Sequence, residues 1–407
     1  MGQIKLEQKP RLLIILNRFV IGGQAVDTIP LAFELTKDFE VLILFGEKEK
    51  DEIEPEFLLN QYPGLRLKKI PQLRRSINPL IDFLAFFRLL ITISQFKADI
   101  VHTHGAKSGF LGRLAAFFSG VPIIVHTFHG HFFHSYFSPA ISRTVAWVEK
   151  IIGKITTSAI ALSVTQKNDL VYEYKILPAH KILVIPLGFH YNSSVDAQTL
   201  RSRFRNKYGL QENDVAIGIV GRIVPVKNHN FFVEIIKSYQ QRFSNSNAAF
   251  FIIGDGELKS KVEALLLENK IAYNNLSVNA ADRVVFTSWL QQMDEVMNGL
   301  DIVVLTSLNE GTPLSMIEAQ YFEKPVISTN VGGVKDTMID GATGFLVESD
   351  CLKEFVEKLN KLINSKVLRQ EFGIKGKEFV KSKFSKANEI ERTKEFYFSL
   401  LLQKGIA

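Results

Sequence analysis

Two glutamates eight positions apart, Glu310 and Glu318, bracket the turn Gly311-Thr312-Pro313-Leu314 within the stretch NEGTPLSMIEA (309–319). The stretch follows the apolar run DIVVLTS (301–307), which reads as a strand buried on both faces. Thr312 is suited to a helix N-cap and Pro313 to the first helical position. Glu310 then falls in the loop and Glu318 inside the helix. The first helical turn presents free N–H groups and the positive end of the dipole, which is a ready anion site. A carboxylate beside a bound phosphate would repel it, so the glutamates are expected to accept hydrogen bonds from hydroxyls. Glu310 is assigned to a sugar ring and Glu318 to a ribose. A nucleotide sugar carries both sets of hydroxyls with a diphosphate between them.

Arg222 and Lys227 in GRIVPVKN (221–228) follow the first apolar run of the second half. Two cations at one strand end can neutralise a diphosphate by charge-assisted hydrogen bonds, without a metal. Gly22-Gly23 and Gly332-Gly333 also follow strand candidates and allow close backbone approach. Gly254-Asp255-Gly256-Glu257 reads as a structural turn before a helix over 257–268. His126, His129, His131 and His134 lie close in sequence. No cysteine or acid accompanies them, so they read as loop or hydrogen-bonded supports, as do His102 and His104, and no metal site is assigned. His104 also ends a strand, which places it on the acceptor side.

These residues need strands to carry them. RLLIIL (11–16), VLILF (41–45), ADIVHTH (98–104), PIIVHTF (122–128), IALSVT (160–165) and ILVIP (182–186) read as strands separated by helical patterns. The series restarts with VAIGIVG (215–221), a helix over 228–242, AFFIIGDG (249–256), RVVFTS (283–288), DIVVLTS and KPVIST (324–329). Continuous apolar strands alternating with helices argue for parallel sheets covered on both faces. The expected architecture is α/β with two Rossmann-like domains facing each other across a cleft: 1–187 for the acceptor and 188–385 for the nucleotide sugar. A helix over 386–407 is expected to pack back toward the first domain. Ligands of such sheets bind beyond the carboxyl ends of the strands, which is where the singled-out residues fall.

Composition sets the limits. With 407 residues, 46% of them hydrophobic, two domains of about 200 residues are the default. The one cysteine, Cys351, excludes an intramolecular disulfide and fits a reducing compartment. LLIIL (12–16) is too short for a signal peptide, and LIDFLAFFRLLITISQF (80–96), interrupted by Asp82 and Arg88, reads as an amphipathic helix on a sheet. Six of the seven net positive charges fall in residues 1–190. Residues 57–81 hold Arg66, Lys68, Lys69, Arg74 and Arg75 and no acid, which suits an anionic membrane surface or nucleic acid and equally a solvated basic loop. Arg74 and Arg75 are also placed on the acceptor side. A nucleic-acid role is disfavoured, because no aromatics interleave with these cations and it leaves both glutamates unexplained. Hydride transfer is disfavoured because neither half has a G-x-G-x-x-G turn after its first strand.

The order Gly22-Gly23, His129, Gly221-Arg222…Lys227, Gly254-Asp255-Gly256, Glu310-Gly311-x-Pro313…Glu318 and Gly332-Gly333 resembles the retaining GT-B glycosyltransferases of family 4 over about residues 11–350. HTFHGHFFHSYFSP (126–139) and DIVHTHGAKSGFLGR (99–113) look like the members that build bacterial surface polysaccharides. The resemblance implies transfer of a hexose or N-acetylhexosamine from a UDP-sugar to a saccharide or lipid-linked acceptor. It implies retention of configuration and no metal; no cofactor is expected, and the single cysteine and the charge map suit a cytoplasmic, membrane-peripheral location. His129 would sit by the transferred sugar, with Arg222, Lys227 and Glu310 as the catalytic set. Gly22, Gly23, Gly311, Thr312, Pro313, Leu314 and Glu318 would line the donor. Two departures stand out: Leu187-Gly188-Phe189-His190 replaces a common Asn-Gly-x-Asp, and Ser288 stands before Trp289 where glycine is frequent. A sugar-nucleotide 2-epimerase shares the architecture; it would exchange the C2 hydrogen with solvent.

Overall fold

The computed structural model describes residues 8–20, 23–49, 52, 54, 56–74, 76–129, 139–189, 195–243, 247–275, 277–278, 282–290 and 292–406. The chain divides into two compact units, Met1–Gly188 with Ser385–Ala407, and Phe189–Phe384. Each is built on a seven-stranded, all-parallel sheet.

In the first unit the strands are β1 (Arg11–Leu16), β2 (Glu40–Gly46), β3 (Arg66–Ile70), β4 (Ile100–His104), β5 (Ile123–Phe128), β6 (Ser158–Ala161) and β7 (Ile182–Val184), in the order β3-β2-β1-β4-β5-β6-β7. The pleat sorts β1 onto two faces. Leu12, Ile14 and Leu16 pack with the C-terminal helix Lys386–Gln403 through Phe396, Tyr397, Leu400 and Leu401. Leu13 and Ile15 pack with Ala85, Leu89 and Ile93 of the helix Pro79–Phe96. The chain therefore completes the first unit's core only with its last helix. Gly188 makes this possible, because a Cβ there would come within 2.5 Å of the Lys386 Cα. Its N–H donates to Glu389 Oε2 at 2.9 Å. That contact accounts for a glycine at 188 without any ligand; His190 lies outside the described residues.

The second unit carries β8 (Val215–Val220), β9 (Ala248–Ile253), β10 (Tyr273–Asn274), β11 (Val284–Ser288), β12 (Ile302–Leu305), β13 (Val326–Thr329) and β14 (Gly344–Val347), in the order β10-β11-β9-β8-β12-β13-β14. β8 and β12 are neighbours, with Gly218 opposite Val303, so the loops leaving their carboxyl ends run side by side.

Several local expectations change. IALSVT does not stay a strand: β6 ends at Ala161, and Ser163 caps a short helix by accepting from the Gln166 N–H at 3.1 Å. The basic stretch contains an edge strand, β3, whose cations are already engaged: Arg66 pairs with Glu40 and Lys69 with Glu47 and Glu54. Lys68 donates to Thr92. The apolar helix Pro79–Phe96 does pack on the sheet, with Ala85, Leu89, Thr92 and Ile93 buried and Phe86, Leu90 and Phe96 partly buried against the same core. Among the described residues it is the one helix long and apolar enough to cross a membrane.

Candidate active site

The adjacency of β8 and β12 builds the second unit's polar group. After β8 the chain makes a short 3-10 turn, Pro225–Lys227, and Asn228 takes a left-handed conformation before the helix His229–Arg242. After β12, Thr306 donates through its hydroxyl to the carbonyls of Lys227 and Asn228 at 3.0 and 3.1 Å. Leu308 N–H donates to the Val226 carbonyl at 2.8 Å. With the loops stitched together, Lys227 Nζ reaches Glu310 Oε1 at 2.7 Å, and Ser307 Oγ donates to the same oxygen at 2.6 Å. The cation expected to meet a diphosphate and the carboxylate expected to meet a sugar are thus each other's partners. Arg222 is half-buried in the same β8 loop.

The turn at 332–333 explains its glycines by the same loop. Gly332 has φ +50, and a Cβ there would lie 2.1 Å from the Glu310 carbonyl oxygen. The Gly333 N–H donates to that oxygen at 2.9 Å. The close approach is therefore to Glu310 itself. Gly254 likewise has φ +140 and would place a Cβ 2.0 Å from the Gly221 carbonyl oxygen, which makes 254–256 a structural turn. The helix after it runs Lys259–Glu268, later than the expected start at 257.

The helix start near Glu310 corrects the sequence reading. Pro313, not Thr312, is the N-cap, with φ −71 and ψ 108, and the helix runs Leu314–Tyr321 without a side-chain cap. Glu310 is tethered by carboxylate and carbonyl alike, the chain bends at Gly311 and Thr312, and Pro313 is still extended. Thr312 Oγ1 is buried without a hydrogen-bond partner. Gly311 and Pro313 are buried beside it, and Leu314 is half-buried.

Glu318 stands on that helix. The residue is half-buried, whereas its carboxyl lies deep enough that burial pushes the pKa up to about 8. No side-chain partner holds it among the described residues. A carboxyl of this kind is costly unless something donates to it. His229, two residues past Lys227, is also buried with neither ring nitrogen partnered, and burial with the nearby Lys227 charge pushes it down to about 4. Nothing in the sequence distinguishes this histidine from any other at a helix start.

The first unit gathers imidazoles at the ends of β4 and β5. His104 Nδ1 and His129 Nε2 are 2.7 Å apart, and the ring of His104 lies tilted by 40° against that of His102 with centroids 4.1 Å apart. His102 is fixed by the Tyr397 hydroxyl at 2.5 Å and by Thr127 at 2.7 Å, so the C-terminal helix reaches this cluster. Burial holds all four of His102, His104, His126 and His129 below the ordinary imidazole range; Asp27 partly opposes this at His129. They are neutral rings at pH 7, able to donate and accept. His104 Nε2 has no partner, and neither do Asn17 Oδ1 and Gln24 Nε2. Both of these side chains border Gly105 (Asn17 Cβ at 3.6 Å, Gln24 Nε2 at 3.8 Å from a Cβ built there). Asn17 and Gln24 were not singled out in the sequence, although they flank the Gly22-Gly23 turn.

Gly23 opens the helix Gly23–Leu35; Gly22 lies outside the described residues. Arg74 is exposed after β3, its Nε donating to the Pro71 carbonyl at 3.2 Å. Arg75, His131 and His134 are also outside the described residues. Among the described residues no group of three or more His, Cys, Asp or Glu is arranged to hold a metal ion. Ser288 has φ +54, a left-handed conformation that favours glycine, so a serine fills a position built for the glycine common in the resembled family. Its hydroxyl accepts from Lys259 Nζ at 3.1 Å.

Two parallel Rossmann-like sheets with an exchanged C-terminal helix, and a Lys–Glu pair at neighbouring strand ends, define a GT-B glycosyltransferase. Residues 21–192 match Glycosyltransferase Family 4 and residues 201–379 match the glycosyl transferases group 1 family. The chain belongs to this family. It is 30% identical over 336 residues, covering 82% of this chain and 84% of the relative, to the UDP-Gal:alpha-D-GlcNAc-diphosphoundecaprenol alpha-1,3-galactosyltransferase of Escherichia coli. It is 29% identical to the capsular polysaccharide biosynthesis glycosyltransferase CapM of Staphylococcus aureus, covering 84% and 87% of the two chains. Among solved structures, HepE of Anabaena, crystallised with UDP and glucose, superposes with a TM-score of 0.78 at 17% identity, covering 96% of this chain and all of that one. That likeness concerns the fold.

Proposed function

We propose that the protein transfers a hexose or N-acetylhexosamine from a UDP-sugar to a saccharide or lipid-linked saccharide during surface polysaccharide synthesis. Transfer retains the anomeric configuration and uses neither a metal nor a cofactor. The observation that carries this reading is the Lys227–Glu310 contact with the unpartnered Glu318 eight residues on. One short segment offers a cation to a diphosphate and two carboxyls to hydroxyls. The Escherichia coli relative, named for UDP-Gal and a diphosphoundecaprenol-linked acceptor, supports the donor and acceptor classes.

In this mechanism the bond from the anomeric carbon to the phosphate oxygen breaks on the face where the acceptor hydroxyl arrives. The departing phosphate oxygen takes the hydroxyl proton. Arg222, Lys227 and the free N–H groups of the helix turn that starts at Leu314 hold the charge that accumulates on the diphosphate, which is electrostatic catalysis. Glu318 receives the ribose hydroxyls and Glu310 the donor sugar. The neutral His129, oriented by His104, donates to or accepts from the transferred sugar. Gly22 and Gly23 are assigned to the donor, and His104, Arg74 and Arg75 to the acceptor.

Thermal melting against a panel of nucleotides and nucleotide sugars tests the reading. UDP and a UDP-sugar should stabilise the protein, by about 2.7 kcal/mol at a hundred times Kd. The selected donor should then be transferred in excess chelator. Failure of every uridine nucleotide to raise the melting point would reject the donor assignment. Loss of transfer in chelator, restored by a divalent ion, would overturn metal independence.

A further inference from the structure

We infer that the helix Pro79–Phe96, together with the end of the neighbouring helix Ala106–Phe118, forms a membrane-docking face that inserts into the interface of an anionic bilayer. The inference rests on the proposed lipid-linked acceptor for its purpose but on the surface of the first unit for its evidence.

The helix Pro79–Phe96 has a mean hydropathy of 1.5, a value suited to a span, yet only 22% of it is buried. Its packed side is formed by Ala85, Leu89, Thr92 and Ile93, with Phe86, Leu90 and Phe96 partly buried beside them. The opposite side exposes Leu80 (79%), Phe83 (61%), Leu84 (56%), Phe87 (42%) and Ile91 (47%), preceded by Ile77 (88%). Positions 80, 84, 87 and 91 follow helical spacing, so these side chains form one stripe. Phe118 extends the stripe sideways, its ring 6.1 Å from that of Phe86, and Phe117 adjoins Phe118 at 5.5 Å. Both are more than half exposed. A contiguous apolar surface of this size marks an interaction site.

Charge decides the occupant. Arg88 lies one turn from Leu84 and beside Ile91, and Lys97 follows the end of the helix; both are exposed and neither has an acidic partner among the described residues. The one acid on the helix, Asp82, is paired with Lys107. Among the described residues, the charges of this helix and its end that lack an opposite partner are therefore both cations. Two copies of this face would bring like charges together, whereas anionic headgroups complement it. Phenylalanines and leucines flanked by cations are the composition of a helix lying in the interface plane. The structure also relocates the contact from the basic stretch 57–81, where Arg66, Lys68 and Lys69 are already engaged, to the apolar stripe.

Sedimentation with vesicles of phosphatidylcholine containing 30% phosphatidylglycerol, against pure phosphatidylcholine, tests this on the full chain without any nucleotide sugar. Wild type should bind the anionic vesicles and retain part of that binding at high salt, because apolar insertion is not screened. Phe83→Ser/Phe87→Ser should weaken binding by about 100-fold, a tenfold loss for each half-inserted ring. Arg88→Glu/Lys97→Glu should lose about tenfold or more and with it the preference for phosphatidylglycerol. All four positions are exposed, so melting temperatures should match wild type. Unchanged binding by the phenylalanine pair, or no vesicle binding by wild type, overturns the inference. So does a wild-type dimer in sedimentation velocity that the phenylalanine pair dissociates, since the face would then belong to a second copy. Uridine-nucleotide stabilisation of the same preparations reads the proposed activity separately, so either reading can fail alone.

Discussion

Removing Lys227 does two things, and the structure allows them to be separated. In the proposed mechanism the ammonium is lost to the diphosphate; in the structure Glu310 loses a partner 2.7 Å away, with Ser307 left at 2.6 Å. The pair is largely shielded, at 20% and 13% side-chain exposure, but not dry. A hydrogen bond to a charged group contributes about 1.5–3 kcal/mol, and residual solvent places this one toward the lower end. Lys227→Ala should therefore lower unfolding free energy in urea by roughly 1–2 kcal/mol. Its effect on turnover should be larger. Charge on the diphosphate grows as the sugar departs, so the cation holds the transition state more tightly than the ground state. Loss of one such donor costs about 100-fold in kcat, near 2.7 kcal/mol, with a smaller change in KM for the donor. Glu310→Ala should also lower kcat while leaving Lys227 unpaired.

The double variant is the decisive measurement. Two independent residues would multiply their losses. Two residues that position each other should fall short of the product by at least about tenfold, a coupling near 1.4 kcal/mol. Initial rates with the donor selected by thermal melting, for wild type, both single variants and the double, close the cycle. Near-normal kcat in either single variant would remove that residue from the reaction. A double variant equal to the product would leave the observed pairing without functional meaning.

Glu318 carries a pH signature. Its folded pKa, about 8, lies above the ordinary 4.5, so the fold favours the protonated form. The associated stability is complete below about 4.5 and is lost as pH rises through 8. Glu318→Gln should remove that decline, so wild type should melt progressively below the variant between pH 5 and 9; parallel curves would show that the carboxyl is not destabilised by burial. If ribose hydroxyls donate to the ionised form, wild-type affinity for UDP should rise over the same range and the variant's should not. Gly332→Ala, with a Cβ facing the Glu310 carbonyl at 2.1 Å and φ +50, should displace the Glu310 loop and lower kcat by tenfold or more; unchanged kcat would mean that the loop relaxes without moving the carboxylate.

Strand identity was legible because buried parallel strands are continuous apolar runs: DIVVLTS, AFFIIGDG and VAIGIVG each read as what they became. β3 was not, because RLKKI lies at the edge of its sheet, where solvent takes the cations and no apolar pattern is needed. The N-cap was misread for a different reason. Thr312-Pro313 has the local chemistry of a helix start, but contacts from residues distant in sequence, Lys227 and Gly333, hold Glu310 and delay the helix start by one residue. The same cause hides most of the site. Sequence spacing places Lys227 and Glu310 at strand ends, but only the strand order, with β8 beside β12, puts their side chains in contact. An isolated lysine or glutamate in such a loop would have to be ordered by the ligand at the moment of binding, at an entropic cost. Paired beforehand, both are already ordered for the diphosphate and the sugar hydroxyl that the proposed mechanism assigns to them. Ordering of that kind lowers the barrier without a new contact being made in the transition state.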